Sequence, residues 1–265
     1  MKILTEARQE VLGSIPRLGT EKVAVSSGRN RVLAAPVVAR NDVPPFANSA
    51  MDGFAVRAAD IGSVPVSLRI VDDVPAGSVP NVPVRAGEAT RIMTGAPMPE
   101  GANTVVMVED TSSADDTVEI MAIPQPGDHI RPAGSDVAAG SIVLAPGVRL
   151  TPRHLASAAS VAGTVEVSRQ PVVAFMSTGD ELVPADSETL EPGKIRDTNR
   201  VLLRTMLEEL SLPLLDLGII DDSLDSLREA YRRASAEADV IVSTGGVSMG
   251  DHDYVKQVLG ELGTV

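Results

Sequence analysis

The spacing of apolar residues changes along the chain and predicts different kinds of structure. Near the start, Ile3, Ala7, Val11 and Leu12 recur at about helical spacing, which predicts a short helix. From residue 23 to about residue 121 the pattern changes to short β-branched runs that Pro and Gly interrupt repeatedly. Such runs predict a small β-rich unit with many turns.

A regular alternation of strand and helix patterns begins after Arg169. Three apolar strand runs, PVVAFMSTG, LPLLDLGII and DVIVSTGG, alternate with three amphipathic helix runs, TNRVLLRTMLEELS, SLREAYRRASAEA and DYVKQVLGEL. This order predicts a mostly parallel sheet with right-handed crossovers, whose functional loops meet at the carboxyl ends of the strands. Before it, Thr151 followed by Pro152 predicts the capped start of a helix in a connecting module.

Composition narrows the classes of function. With 43% apolar residues, 2% aromatic residues and no Trp, the core must be aliphatic, and base stacking is not expected to dominate a site. A formal net charge of −13 argues against nucleic acid and anionic membranes as partners. The absence of Cys excludes disulfides, thiolate nucleophiles and Cys-ligated metal centres. The chain has no signal-peptide pattern and no apolar run of membrane-spanning length, so we expect a soluble, cytoplasmic protein.

The loop STGGVSMGDHD, residues 243–253, has the composition of a phosphate-binding turn. Gly245 and Gly246 end a strand, and Ser248, Gly250 and Asp253 follow at the entry to a helix. Glycines let backbone N–H groups approach an anion, and the helix N-terminus adds about half a positive charge. Two glycines alone more often mark a tight turn with Ser or Asp caps, but a second loop of the same kind favours binding.

That second loop is STGDEL, in which Thr178 and Gly179 end an apolar strand and Asp180 and Glu181 follow. Taken alone, either carboxylate is more often a helix cap or a solvated charge. Neighbouring strand ends would bring these carboxylates beside a bound phosphate, which they repel unless a divalent cation lies between them. The arrangement therefore predicts Mg²⁺ bridging Asp or Glu to phosphate oxygens.

Two earlier segments carry polar groups in loops. PPFANSAMDGFAV, residues 44–56, offers Ser49 and a turn at Asp52, and RIMTGAPMPEGANTVVMVED, residues 91–110, places Thr94 between predicted strands. Each segment alone would be only a domain hinge or a hairpin.

Six segments in order resemble the signatures of the molybdopterin molybdenumtransferase family, which includes bacterial MoeA and the E domain of gephyrin. They are PPFANSAMDGFAV, RIMTGAPMPEGANTVVMVED, RPAGSD, STGDEL, KIRDTN and TGGVSMGDHDYV, and the resemblance covers most of the chain. It implies an α/β multidomain fold. The implied parts are a MogA-like three-layer α/β domain with a parallel-rich sheet at 170–265, a β-rich lid domain at 21–37 and 48–133, and a mixed helical connector that forms the dimer at 1–20, 38–47 and 134–169.

The resemblance also implies a reaction. In the family, adenylylated molybdopterin loses AMP as molybdate enters its dithiolene, with Mg²⁺ involved. The family's homodimer faces the α/β domain of one subunit with the β-rich domain of the other, and molybdopterin adenylyltransferase is the implied upstream partner. Catalytic roles are implied for Asp52, Thr94, Asp136, Glu181, Asp222 and Asp253, and Asp253 and Glu181 would also hold Mg²⁺. Binding roles are implied for Ser49, Thr178, Gly179, Asp180, Asn199, Thr244, Gly245, Gly246, Ser248 and Gly250.

The sequence departs from the family pattern in three places. The loop at Asp221 and Asp222 fits in two registers, and Thr198 stands where the family commonly has Ser. The family's Pro-Gly-Lys-Pro-type loop and final β domain have no counterpart in these 265 residues. We therefore expect a truncated chain, which can bind the nucleotide-pterin without inserting the metal.

Two other functions fit parts of the sequence. GVSMG, residues 246–250, matches the nucleophile elbow of serine hydrolases with Ser248 as nucleophile, but only fifteen residues follow Gly250, too few for the acid and the later His. The other alternative is a non-catalytic pterin-binding or scaffold protein. Release of AMP on addition of molybdate would separate catalysis from scaffolding.

Overall fold

A computed structural model describes residues 3–245 and 254–263 of the chain. The helices are α1 (Leu4–Ser14), α2 (Pro152–Ala159), α3 (Thr198–Glu209), α4 (Leu224–Glu237) and α5 (Tyr254–Leu262). The strands are β1 (Thr20–Ala24), β2 (Val37–Val38), β3 (Asn48–Ser49), β4 (Gly53–Val56), β5 (Val66–Val74), β6 (Glu88–Ile92), β7 (Thr104–Met107), β8 (Thr111–Ala114), β9 (Thr117–Ile120), β10 (Ile130–Arg131), β11 (Ile142–Leu144), β12 (Thr164–Ser168), β13 (Val173–Thr178), β14 (Leu182–Val183), β15 (Ile195–Arg196), β16 (Leu214–Ile220) and β17 (Val240–Thr244).

The predicted β-rich unit is confirmed as a six-stranded sheet in the order β7-β4-β6-β5-β9-β8. Its strands pair antiparallel except for β5 and β6, which run parallel. Aliphatic residues at alternating positions, such as Val118 and Ile120 of β9, are fully buried in its core. Gly53 lets β4 approach β7 closely, because a side chain there would overlap the carbonyl oxygen of Val106.

Residues 21–37 do not join the six-stranded sheet, although the family resemblance implies that they belong to the β-rich domain. Strand β1 pairs with β12, and β2 pairs with β11, so this segment joins the strands that flank α2. Val25, Leu33 and Val37 are buried in one core with Leu150 and with other residues of the connecting module. The β-branched residues of this segment therefore pack against apolar residues that lie more than 100 positions later in the sequence.

The alternation after Arg169 folds as predicted into a parallel sheet in the order β16-β13-β17. The crossover through α3 leads from β13 to β16, and the crossover through α4 leads in the opposite direction, from β16 past β13 to β17. Because both are right-handed, α3 and α4 cover opposite faces of the sheet, which gives three layers. On the face covered by α4 and α5, Met176 packs with Leu227, Tyr231 and Val258. We call residues 170–245 and 254–263 the α/β unit, and the carboxyl ends of its three strands the sheet edge.

A charged contact joins the end of β12 to the start of β17. Arg169 donates two hydrogen bonds to the carboxylate of Asp239, at 2.8 and 2.6 Å, and the backbone N–H of Val172 donates a third at 2.9 Å. The bonds from Arg169, followed by that from Val172, lower the pKa of Asp239 to about 2. This carboxylate therefore stabilises the folded chain only while it is ionised.

We expect the Asp239→Asn variant to lose a pH-dependent part of the stability. A carboxyl group whose pKa is lowered by folding stabilises the protein above its unfolded pKa, and the gain is lost as the pH falls from about 4 to about 2. Urea unfolding between pH 7 and pH 2.5 should therefore show a flatter profile for the variant than for the wild type across that window. Identical profiles would contradict this role of Asp239.

Within the described ranges, 3–245 and 254–263, no helix has the length and apolar character needed to cross a bilayer.

Candidate functional site

The ends of β13 and β17 form the centre of the sheet edge. Ser177 and Thr178 are buried at the end of β13, although both are polar. The hydroxyl of Thr244 donates to Ser177 Oγ at 3.1 Å, and the hydroxyl of Thr178 donates to the carbonyl oxygen of Thr244 at 3.4 Å. These hydroxyl bonds tie the two strand ends together.

Gly245 is required where β17 ends. Its φ is +91°, a conformation that favours glycine, and a Cβ atom there would overlap the carbonyl oxygen of Thr178. The two loops that the sequence predicts to bind phosphate therefore begin in direct contact. The close approach leaves no space for a side chain at position 245.

Carboxylates from two loops meet beside this centre. The backbone N–H of Asp222, in the loop after β16, donates to Asp180 Oδ1 at 3.0 Å, and that of Gly179 donates to the carbonyl oxygen of Ile220 at 3.2 Å. Partial burial raises the pKa of Asp222, and the charges of Asp180, Glu181 and Asp221 raise it further. Burial and the neighbouring negative charges together make ionisation of Asp222 less favourable than that of an ordinary Asp.

The carboxylates alone do not form a complete metal site. Among the described residues, no group of three or more His, Asp or Glu side chains has an arrangement that could hold a metal ion. Asp253, which the sequence predicts as a metal ligand with Glu181, lies outside the described residues, as do Gly246, Ser248 and Gly250. The described contact between these two loops is the hydrogen bond from the backbone N–H of Asp222 to the carboxylate of Asp180.

A second group of predicted site residues lies in the β-rich sheet. The backbone N–H and the hydroxyl of Thr94 both donate to Asp52 Oδ1, each at 2.7 Å. The backbone bond, followed by the hydroxyl bond, lowers the pKa of Asp52. Ser49 is fully buried nearby, and its Oγ accepts the backbone N–H of Met51 at 3.2 Å. This arrangement presents an ionised, oriented carboxylate at the surface.

We expect the Thr94→Val variant to raise the pKa of Asp52 without returning it to its ordinary value. The substitution removes the hydroxyl donor and keeps the backbone donor, which is the larger cause of the lowered pKa. An NMR titration of the Asp52 carboxyl carbon would measure the change. Thr94→Ser keeps the hydroxyl and serves as the control, so an equal rise in both variants would contradict the assignment.

The two remaining predicted residues, Asp136 and Asn199, take no part in the hydrogen bonds that form these two groups. Asp136 is exposed, and its backbone N–H donates to the carbonyl oxygen of Val43 at 2.9 Å. Asn199 is exposed in the first turn of α3. Among the residues that the structure describes, no hydrogen bond or ion pair joins Asp52, Thr94 or Asp136 to the sheet edge. One chain therefore carries two separate clusters of site residues.

Two polar residues at the sheet edge were not singled out from the sequence. Lys194 donates through Nζ to the carbonyl oxygen of Asp180 at 2.6 Å. Asp197 caps α3, and its side chain is almost fully buried. Both lie in the segment KIRDTN, where an Asp before a helical run was an available signal for a cap.

Two protein-family models and several known proteins are similar to this chain. The model described as "MoeA N-terminal region (domain I and II)" matches residues 3–162, and "Probable molybdopterin binding domain" matches residues 174–265. A molybdopterin molybdenumtransferase from a Nostoc species is 40% identical over 262 residues, covering 96% of this chain and 60% of that protein. The enzyme of the same name from Haemophilus influenzae is 38% identical over 269 residues, covering 100% of this chain and 66% of its own length.

Solved structures show the same similarity. A crystal structure of the molybdopterin biosynthesis MoeA protein of Pyrococcus horikoshii matches with a TM-score of 0.82 and 33% identity, over 99% of this chain and 67% of that one. The chain thus spans about two thirds or less of the length of these relatives. Because the first family model alone covers more than half of the residues, the chain belongs to the molybdopterin molybdenumtransferase (MoeA) family.

Proposed function

We propose that the chain binds adenylylated molybdopterin at the sheet edge and takes part in inserting molybdate into its dithiolene, with release of AMP. The observation that carries the proposal is the contact of Gly245 with Thr178, which brings the two glycine-containing strand ends together. Backbone N–H groups at such ends suit the pyrophosphate of the ligand. Family membership indicates the substrate class, since the relatives that match most of this chain are named molybdopterin molybdenumtransferase.

The charge of the sheet edge supports a requirement for Mg²⁺. Partial burial raises the pKa of Asp222, and repulsion from Asp180 and Glu181 adds to that rise. The same carboxylates would repel a pyrophosphate. Their oxygens are the donors that Mg²⁺ prefers, and Mg²⁺ commonly uses one or two carboxylates together with substrate phosphates. We propose Glu181 and Asp253 as its ligands, with Asp222 and Asp180 beside them. The bound ion would neutralise phosphate charge.

The second cluster suits a site that two subunits share. Asp52 and Thr94 hold each other in a defined geometry and have no described contact with the sheet edge of their own chain. We propose a homodimer in which these residues and Asp136 of one subunit complete the cleft over the sheet edge of the other. The proposal includes molybdopterin adenylyltransferase as the upstream partner, a cytoplasmic location, and a division into connector, β-rich and α/β domains in which residues 21–37 belong to the connector.

The Asp222→Asn variant tests the role of the carboxylates and is expected to have two opposite effects. Without Mg²⁺, it should raise the melting temperature at pH 7, because a carboxyl group with a raised pKa costs stability once it is ionised. With Mg²⁺, it should weaken binding of adenylylated molybdopterin about tenfold or more. Calorimetry of unfolding and of binding would measure both.

Asp225→Asn is the matched control, because the Asp225 side chain is 98% exposed three residues further along. Equal Mg²⁺ dependence in the wild type and in both variants would contradict the metal assignment. The reaction itself is tested by adding molybdate and Mg²⁺ to the chain loaded with adenylylated molybdopterin. Release of one AMP per chain supports the transferase, whereas tight binding without AMP release supports a scaffold role instead.

A further inference from the structure

Asp197 has one carboxylate oxygen with a structural role and one without. Its Oδ1 accepts the backbone N–H of Arg200 at 3.0 Å, which caps α3. Its Oδ2 is shut off from solvent, and no described residue donates a hydrogen bond to it. The whole residue is only 3% exposed. A buried carboxylate oxygen without a donor is costly, so such groups are rare unless water, a ligand or an ion satisfies them.

The basic residues close to Asp197 in sequence do not supply the missing donor, because each is engaged elsewhere. Lys194 donates to the carbonyl oxygen of Asp180, Arg196 to that of Ser187, and Arg200 to both carboxylate oxygens of Asp216, at 2.9 and 2.7 Å. The bonds to Asp216 raise the pKa of Arg200, and the charge of Asp197 adds to that rise. Asp197 thus lies near a cation that is already held by another carboxylate.

Asp197 lies at the sheet edge. Helix α3 leads from the carboxyl end of β13 back to the start of β16, so its N-terminus lies at the same edge as the STGDEL loop. The backbone N–H of Asp197 donates to the carbonyl oxygen of Val183 at 2.9 Å, and that of Ile195 donates to the carbonyl oxygen of Glu181 at 2.8 Å. Backbone hydrogen bonds therefore hold the segment that carries Asp197 against the STGDEL loop. Under the proposed function, this loop contacts the ligand.

We propose that Asp197 Oδ2 accepts a hydrogen bond from an N–H or O–H group of the bound nucleotide-pterin, away from its phosphates. This inference rests on the proposed function. A carboxylate would repel the pyrophosphate, whereas the pterin ring, the adenine ring and the ribose all carry donors. The residues on either side, Arg196 and Thr198, are exposed, so the chain reaches the protein surface on both sides of Asp197.

The Asp197→Asn variant tests this role because it separates capping from recognition. Asn caps a helix as well as Asp does, so the melting temperature should stay within about 2 °C of the wild type. The same change replaces the second oxygen by an NH₂ group, which cannot accept a hydrogen bond. Isothermal titration should then show binding of adenylylated molybdopterin weakened about 10- to 100-fold. Asp186→Asn, an equal charge change at an exposed position in the preceding loop, should bind like the wild type.

Titrations with AMP and with molybdopterin would then assign the donor. A loss confined to AMP points to adenine or ribose, and a loss confined to molybdopterin points to the pterin ring. Asp197→Ser also keeps a capping oxygen and removes Oδ2, so it serves if the Asn variant is unstable.

Wild-type affinity in a stable variant at position 197 would overturn the inference and leave the proposed function standing. An equal loss in Asp186→Asn would also overturn it, because the effect would then be one of charge alone. Failure of the wild-type chain to bind adenylylated molybdopterin would overturn both.

Discussion

The Gly245→Ala variant is expected to lose tight binding of adenylylated molybdopterin and to destabilise the α/β unit by about 2–4 kcal/mol. Two effects add at this position. A φ of +91° is unfavourable for alanine, and the new Cβ would overlap the carbonyl oxygen of Thr178 and lie 2.7 Å from its hydroxyl oxygen. Because the obstacle is backbone, relief requires the ends of β13 and β17 to separate, and with them the two loops that we propose to hold the pyrophosphate.

Gly193→Ala separates the two effects. Gly193 has nearly the same φ, +87°, but no heavy atom lies within 4 Å of the position that its Cβ would take. This control should show only the conformational penalty, about 1–2 kcal/mol, and should keep wild-type affinity. Chemical unfolding and calorimetric titration of both variants would measure the difference. Similar losses of affinity in the two variants would mean that the contact between the strand ends is not needed for binding.

The Leu227→Ala variant is expected to lower the free energy of unfolding of the α/β unit by about 2–5 kcal/mol. Leu227 of α4 is 1% exposed and packs with Met176 of β13 and with Val258 of α5. Loss of its side chain leaves a cavity between the sheet and both helices. Because α4 begins directly after the loop that carries Asp222, we also expect weaker ligand binding well below the melting temperature.

Leu202→Ala is the matched control for this prediction. Leu202 lies on α3 and is 56% exposed, so the same change in the other layer should alter the stability by less than about 1 kcal/mol. Denaturant titrations followed by circular dichroism would report both variants. An equal and small effect at the two positions would show that α4 does not pack on the sheet as described.

Local patterns were sufficient to predict the regular elements. The apolar run that ends at Thr178 is buried at every position of β13, and Thr151 caps α2 as its position before Pro152 predicts. Pairing between distant strands was not predictable in the same way. The run at 21–37 has strand character, but nothing within it specifies β12 rather than the six-stranded sheet as its partner. The pairing depends on which hydrophobic core can accommodate the valine side chains of this segment.

The candidate site likewise has a part that the sequence predicts and a part that it does not. Parallel topology predicts that the loops after β13, β16 and β17 meet, and the hydrogen bond between Asp222 and Asp180 agrees with that expectation. The bond from Thr94 to Asp52 spans 42 positions and depends on the antiparallel pairing of β4 with β6. The burial of Asp197 has no local signature beyond that of a cap, because the unpartnered oxygen is a property of the packed loop.

We expect the strand ends of the α/β unit to hold the pyrophosphate of adenylylated molybdopterin. A crystal structure of the chain with this ligand and Mg²⁺ tests it most directly. We expect the pyrophosphate oxygens within about 3.2 Å of backbone N–H groups in the loops that follow Thr178 and Thr244. A pyrophosphate bound elsewhere, with those two loops empty, would contradict the account.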